Sequence, residues 1–188
     1  MTTQPQLELR SRLGASFVNS DYNKFTQGQR KDSNMGRMGD MRSICLTLDA
    51  DMAYYQTSEP GKLENYTNAQ LAIIETPYEQ MAELHQQVKA VLDEKALVLP
   101  DELFAIVTVM WDMEKEPSLK LMKTVLLADE FFAMLDLAKK EHLAGGAQFK
   151  TLRASVIRIL KGCFQALLES SREFKKQREG GLYGIEVS

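Results

Sequence analysis

The sequence predicts an all-α protein, a single-domain bundle of five to seven helices. Only five prolines and eleven glycines interrupt its 188 residues, which leaves long stretches without a helix breaker. Within those stretches apolar residues recur at three- and four-residue steps, the period of a helix that buries one face. Apolar residues make up 44% and charged residues 26%, the composition of an ordinary globular domain with its own core.

The first sixty residues predict two helices joined by a polar segment. A short amphipathic helix is expected from Leu7 to Val18. The glycine-rich, basic stretch at about 27–40 predicts a flexible loop. Asp40 then caps a helix of about 41–56, which the sequence Ser-Glu-Pro-Gly-Lys at 58–62 ends.

Proline signals organise the middle of the chain. A weaker helix is expected at 63–75, and the capping box with Pro77 at its first helical position begins another that runs to about 95. Pro100 opens a segment, 103–113, that is apolar almost all round. Such a helix is central in the core or covered by a neighbouring subunit, and a strand is the alternative because 106–109 is rich in β-branched residues.

Two long helices complete the predicted bundle. Pro117 stands at the start of a helix over 118–142. The last helix is expected at about 147–178, with apolar residues at heptad-like spacing and Gly180-Gly181 after its end. The whole chain, 1–188, is then one helical domain with a short C-terminal tail at 179–188.

Charge is distributed unevenly, although the net charge is only −3. Residues 1–43 and 150–178 carry an excess of lysine and arginine, whereas residues 44–149 contain eighteen acidic and eight basic residues. A molecule with basic ends and an acidic middle suits head-to-tail self-association or an anionic partner at one face. Mutual neutralisation within the fold is the alternative.

Catalytic and metal-binding signatures are missing from the sequence. His85 and His142 are the only histidines and stand in no metal-ligand spacing, and the chain has no glycine-rich phosphate loop or nucleophile elbow. Carboxylate pairs such as Asp129/Glu130 are expected to be surface charge. We therefore expect no enzymatic activity, no metal and no cofactor.

The cysteines and the hydropathy pattern bear on the compartment. Cys45 and Cys163 lack a CxxC partner, and the first residues do not have the pattern of a signal peptide. No apolar run approaches the roughly 20 residues needed to cross a bilayer. These features predict a cytoplasmic protein with reduced thiols that are buried by packing, and a disulfide is the alternative.

The last helix carries an ordered set of cations. At 100° per residue, four candidate nucleic-acid-binding residues fall opposite the apolar stripe expected from Leu152 to Cys163, and these are Lys150, Arg158, Lys161 and Arg172. Three of them are spaced eleven residues apart and form a row of roughly 33 Å at 1.5 Å per residue. Evenly spaced cations suit a phosphate backbone, and a solvated basic helix face is the alternative.

A second basic element lies near the N-terminus. Its candidate nucleic-acid-binding residues are Arg30, Lys31 and Arg37 in the loop and Arg42 at the start of the following helix. Cations among Gly, Ser and Asn are common in segments that order on a nucleic-acid strand, and equally common in surface loops.

Three short segments of the chain are of interest together. They are the helix start Gly39-Asp40-Met41-Arg42-Ser43-Ile44-Cys45-Leu46-Thr47-Leu48, the Leu99-Pro100-Asp101-Glu102 element, and Phe164-Gln165-Ala166-Leu167-Leu168 followed by Gly180-Gly181. These segments resemble the small helical subunit of CRISPR type III effector complexes. The resemblance implies a non-catalytic helical bundle whose copies stack along the complex and support bound strands. Arg42, Arg158 and Lys161 would then contact the RNA backbone.

The sequence and the resemblance together lead to a functional expectation. We expect a helical subunit of a nucleoprotein complex that supports RNA or single-stranded nucleic acid through basic faces. Its expected partners are other subunits of a ribonucleoprotein complex and copies of itself, with no membrane. The alternative is a protein–protein adaptor or inhibitor without nucleic-acid contact, which would use a methionine-rich surface of Met110, Met113, Met122 and Met134.

Overall fold

The computed structural model describes residues 5–19, 40–109, 114–143 and 145–183, with side chains as far as Glu179 in the last range. In these ranges the chain forms five α-helices and one two-stranded sheet, which confirms the all-α bundle. The elements in chain order are β1 (Gln6–Leu9), α1 (Arg12–Val18), α2 (Met41–Ser58), α3 (Pro60–Glu94), β2 (Ala105–Thr108), α4 (Glu116–Lys140) and α5 (Gly146–Tyr183).

The core is built around α4, which contacts all four other described helices. Its buried residues lie on several sides of the helix, from Leu121 and Val125 to Phe131 and Leu135. A helix that buries residues on several sides needs several neighbours, and α1, α2, α3 and α5 pack against it. Helix α4 confirms the prediction of a helix that begins at Pro117, which lies at the second position of α4.

The N-terminal segment is a strand followed by a helix, so the prediction of one helix over Leu7 to Val18 is wrong in its first part. Residues 6–9 alternate exposed and buried, with Leu7 and Leu9 inside. This period of two belongs to a strand that buries one face. Ser11 then caps α1, because its side chain accepts a hydrogen bond from Gly14 N at 2.8 Å.

Helix α2 begins and ends close to the predicted bounds. Asp40 Oδ1 accepts a hydrogen bond from Ser43 N at 2.8 Å, and Ser43 Oγ accepts one from Asp40 N at 3.0 Å. This reciprocal capping box confirms the predicted cap. The helix ends at Ser58, where Glu59 separates it from the proline that opens α3.

Helix α3 is one helix of 35 residues, whereas the sequence predicts two that meet at Pro77. An interior proline removes a backbone hydrogen bond and crowds the preceding turn, at a cost of about 3 kcal/mol. The buried residues Tyr66, Ile74 and Met81 lie on both sides of Pro77 along one face of α3. Packing of that face, chiefly on α4 and α5, holds the two halves in one helix.

The segment after Pro100 contains a strand, so the helix predicted over 103–113 is wrong for residues 103–109, and the alternative, a strand, is confirmed for 105–108. Residues 110–113 lie outside the described residues. Strand β2 pairs antiparallel with β1, with Leu7 opposite Val107 and Leu9 opposite Ala105. The β-branched run favours this extended conformation. Residues Leu103, Phe104 and Ile106 are exposed, which contradicts a central place in the core.

Two further expectations are corrected at the C-terminal side. Helix α5 continues to Tyr183, beyond the Gly180-Gly181 pair that was expected to end it, because glycine weakens a helix by about 1 kcal/mol per residue without forbidding it.

Met122 and Met134 are buried in the core, at 5% and 1% exposure, and form no surface. Met110 and Met113 lie outside the described residues.

Candidate nucleic-acid interface

Helix α5 buries a face that is rotated from the one the sequence predicts. The residues that it buries are Phe149, Val156, Leu160, Cys163, Phe164, Leu167 and Ser171. Leu152 and Ile159, which belong to the predicted stripe, are only half-buried. At 100° per residue the buried face is turned by roughly 60° from that stripe.

This rotation decides how the candidate cations are presented. Lys150, Arg158 and Arg172 are exposed, whereas Lys161 is half-buried at the border of the face. Among the ion pairs of the described residues, none involves any of these four side chains. Helix α5 spans about 57 Å at 1.5 Å per residue, so the cations are spread along a rigid support.

The positive charge is concentrated in the N-terminal half of α5. No aspartate or glutamate occurs between Glu141 and Glu169, and that interval contains four lysines and arginines. The C-terminal half is mixed, since Glu169 and Glu173 are both exposed. Glu169 accepts a hydrogen bond from Gln165 Nε2 at 2.9 Å. The excess of positive charge on α5 is therefore largest in the part that carries Lys150, Arg158 and Lys161.

Polar contacts to α3 and α2 fix the rotation of the C-terminal half of α5. Tyr66 Oη on α3 donates to Asp51 Oδ2 on α2 at 3.1 Å, and it lies 3.3 Å from Ser171 Oγ. Gln70 Nε2 donates to Ser170 Oγ at 2.9 Å. Burial raises the pKa of Tyr66 well above its usual value, so its hydroxyl stays protonated as the bonds require.

Aromatic contacts support the same junction. The ring of Phe174 meets those of Tyr55 and Tyr66 edge-on, at centroid distances of 6.1 and 5.0 Å. The guanidinium of Arg178 lies 4.2 Å from the centre of the Tyr54 ring. Edge-to-face pairs and cations over aromatic rings are each favourable by roughly 0.5–1.5 kcal/mol. These contacts leave Arg172, on the other side of the helix, in solvent.

The N-terminal candidates are placed only in part. Arg42 lies on α2, a different helix from the other candidates, and its side chain is half-buried. Arg30, Lys31 and Arg37 lie outside the described residues, and so does the loop predicted at about 27–40. Four of the candidate residues therefore lie on one helix, and these are Lys150, Arg158, Lys161 and Arg172.

Asp129 is a buried carboxylate, which corrects the expectation of surface charge at this position. It accepts hydrogen bonds from Arg10 N at 2.7 Å, Ser11 N at 2.8 Å and Ser11 Oγ at 2.7 Å. Burial raises its pKa, and these donors act against that rise. A Cβ on Gly14 would lie 2.1 Å from Asp129 Oδ1, so only glycine fits there. Every oxygen of Asp129 is used to fasten β1 and α1 to α4.

The remaining chemically capable side chains also have packing roles. His85 Nε2 lies 3.0 Å from Glu130 Oε2 on α4. Cys45 and Cys163 are both buried free thiols, as predicted. Burial raises the pKa of Cys163 to about 12 and that of Cys45 further, so neither is a thiolate at neutral pH.

The described residues contain no group of three or more metal-ligating side chains, and none of their helices is long and apolar enough to span a membrane. Comparison with known proteins found no matching family model, no similar curated protein and no similar solved structure. The residues of this chain therefore carry the functional proposal.

Proposed function

We propose that this protein is a non-catalytic, nucleic-acid-binding subunit that holds the phosphate backbone of RNA or another single strand on α5. The observation that carries the proposal is the exposed cationic row on one rigid helix, without an acidic residue between Glu141 and Glu169. Point charges on a rigid face attract phosphates and ask for no base-specific geometry. Binding of this kind is independent of sequence.

The surroundings of the row match the same role. The row projects away from the core because the other face of α5 is packed on α3, α4 and α2. No aromatic side chain of α5 is exposed among the described residues, so stacking of bases contributes little and electrostatics dominate. The resemblance to the small helical subunit of CRISPR type III complexes favours RNA as the strand, with copies of the chain and other subunits as neighbours in the cytoplasm.

A matched pair of variants tests the proposal. The first variant is Lys150→Glu, Arg158→Glu and Arg172→Glu, and the control is Lys89→Glu, Lys95→Glu and Lys123→Glu. All six side chains are exposed, and both variants change the net charge by the same amount. Lys161 is left unchanged because it is half-buried and its replacement would also disturb packing.

The measurement is the affinity for a fluorescein-labelled 20-nucleotide RNA by fluorescence anisotropy at fixed salt. We expect the α5 variant to bind at least about a hundredfold more weakly, since three phosphate contacts are replaced by repulsion. The control should lose far less. Equal losses in the two variants would mean that only net charge matters, and this would refute a site on α5.

A protein-binding role is a second candidate, and one observation favours it. Large apolar side chains are exposed around β2, which no part of the nucleic-acid proposal uses. The two roles are compatible, because a subunit of a nucleoprotein complex needs protein neighbours as well as a strand.

A further inference from the structure

Exposed apolar side chains are concentrated around β2. Six large hydrophobic residues are exposed in the described part of the chain, and four of them lie between 98 and 106: Val98 (85% exposed), Leu103 (37%), Phe104 (47%) and Ile106 (54%). We call these four residues the β2 patch. Contiguous apolar surface that is rimmed by polar residues marks interaction sites.

The β2 patch borders the edge of β2 that faces away from β1, where main-chain N–H and C=O groups point outward. In the part of the chain that the structure describes, β2 pairs with β1 alone. Val109 N donates to Pro5 O at 2.9 Å, which sets the alternation of the antiparallel ladder. In that alternation Val107 also bonds to β1, while the N–H and C=O of Ile106 and Thr108 point to the opposite edge. An open edge of this kind is a template for another strand.

A cavity lies beside the patch. It has a volume of about 390 Å³ and separates the segment Leu99 to Phe104 from the C-terminal half of α4, where Ala133 and Leu137 line it. The guanidinium of Arg10 donates to Pro100 O at 2.9 Å, and this bond fixes the segment Leu99 to Phe104 over the cavity. The volume accommodates a large apolar side chain, the usual anchor of a protein interface.

The rim of this region is acidic. The carboxylates that line this cavity and the adjoining one of about 290 Å³ are Asp93, Asp101, Glu102, Glu130 and Asp136, against the cations Arg10, Lys89 and Lys140. Glu8 adds a further carboxylate directly opposite Ile106 on β1. The excess of negative charge attracts a basic partner and repels a second copy of the same patch.

We propose that the β2 patch is a docking site for an extended segment of a partner protein that alternates apolar and basic residues. The segment adds a strand to the open edge of β2 and places one apolar side chain in the cavity beneath Phe104. Its lysines or arginines face Glu8, Asp101 and Glu102. Main-chain hydrogen bonds provide affinity and the pocket and charges provide specificity, as in other cases of strand addition. None of these residues lies on α5, so the site goes beyond the proposed binding of nucleic acid.

Three synthetic peptides of equal length test the proposal: alternating Lys-Val, alternating Glu-Val, and Lys-Val with the amide nitrogens of one edge methylated. Each carries a fluorophore, and binding to the full chain is followed by anisotropy. We expect binding of the Lys-Val peptide, none of the Glu-Val peptide, and weaker binding of the methylated peptide, which cannot complete the ladder. Equal binding of the Lys-Val and methylated peptides would overturn strand addition.

Variants locate the binding on the protein. Ile106→Lys should weaken binding of the Lys-Val peptide about fivefold or more, and Leu46→Lys, at a 41% exposed position on α2, is the matched control. The double variant Asp101→Lys, Glu102→Lys should shift the preference toward the Glu-Val peptide. This double variant tests the site even if Ile106→Lys fails to fold. An unchanged preference in that variant contradicts the proposal.

Sedimentation of the peptide-free protein tests the other occupant. We expect the wild-type chain and the Ile106→Lys variant to have the same mass in solution. A dimer that Ile106→Lys dissociates would assign the patch to a second copy and overturn the proposal of a basic partner.

Discussion

Single residues fasten the fold through contacts between distant parts of the chain. Asp129 binds the backbone of Arg10, 119 positions away, and the N–H and hydroxyl of Ser11. Beside Glu130, Asp129 looks like surface charge in the sequence, because its burial depends on partners that only the tertiary structure brings near. Tyr66 and Ser171 are a second such pair, 105 positions apart.

Replacing Asp129 by asparagine tests the fastening role. The amide has one acceptor oxygen in place of two, and its N–H₂ group faces donors, so at least one buried donor loses its partner. Losing such bonds costs about 1–3 kcal/mol each. We expect the free energy of unfolding in urea to fall by about 2 kcal/mol or more. Asp136→Asn, at an exposed position on the same helix, should change it little. Equal stability of the two variants would contradict a structural role for Asp129.

At the scale of whole elements, periodicity, caps and proline positions predict several helices well. The start of α2 at Asp40, the start of α4 at Pro117 and the whole of α5 to 178 follow from such signals. The failures occur where tertiary packing overrides a local signal. Pro77 lies inside α3 because the helix is packed on both sides of it, and β2 is a strand because β1 lies alongside.

The rotation of α5 is the element-level feature on which the proposed nucleic-acid interface depends. Leu160 is fully buried, whereas Leu152 is half-buried. We therefore expect Leu160→Ala to lower the free energy of unfolding by about 2–4 kcal/mol, through lost burial and the cavity left behind. Leu152→Ala should cost clearly less. Urea denaturation of both variants decides between the two orientations of α5. A larger loss of unfolding free energy in Leu152→Ala than in Leu160→Ala would favour the apolar stripe predicted from sequence, which places Lys161 on the outer face.

For the whole molecule, composition and breaker spacing are sufficient to predict the all-α class, and charge segregation indicates the basic last helix. What the sequence cannot supply is the rotation of that helix, the exposure of the β2 patch or the burial of Asp129, since each depends on which elements meet. The resulting molecule presents cations on α5 and an acidic, apolar region around β2. The cationic surface suits a nucleic-acid strand, and the acidic, apolar surface suits a protein partner.

Photo-crosslinking to RNA tests the central claim most directly, because it reports which residues lie against the strand. The protein would be crosslinked to a 20-nucleotide RNA that contains 4-thiouridine, digested, and the modified peptides identified by mass spectrometry. We predict that the crosslinked peptides come chiefly from α5 between Lys150 and Arg172, and that they disappear when salt is raised enough to screen phosphate contacts. Crosslinks confined to other elements, or crosslinks on α5 that persist at high salt, would contradict the assignment of α5 as the backbone-binding surface.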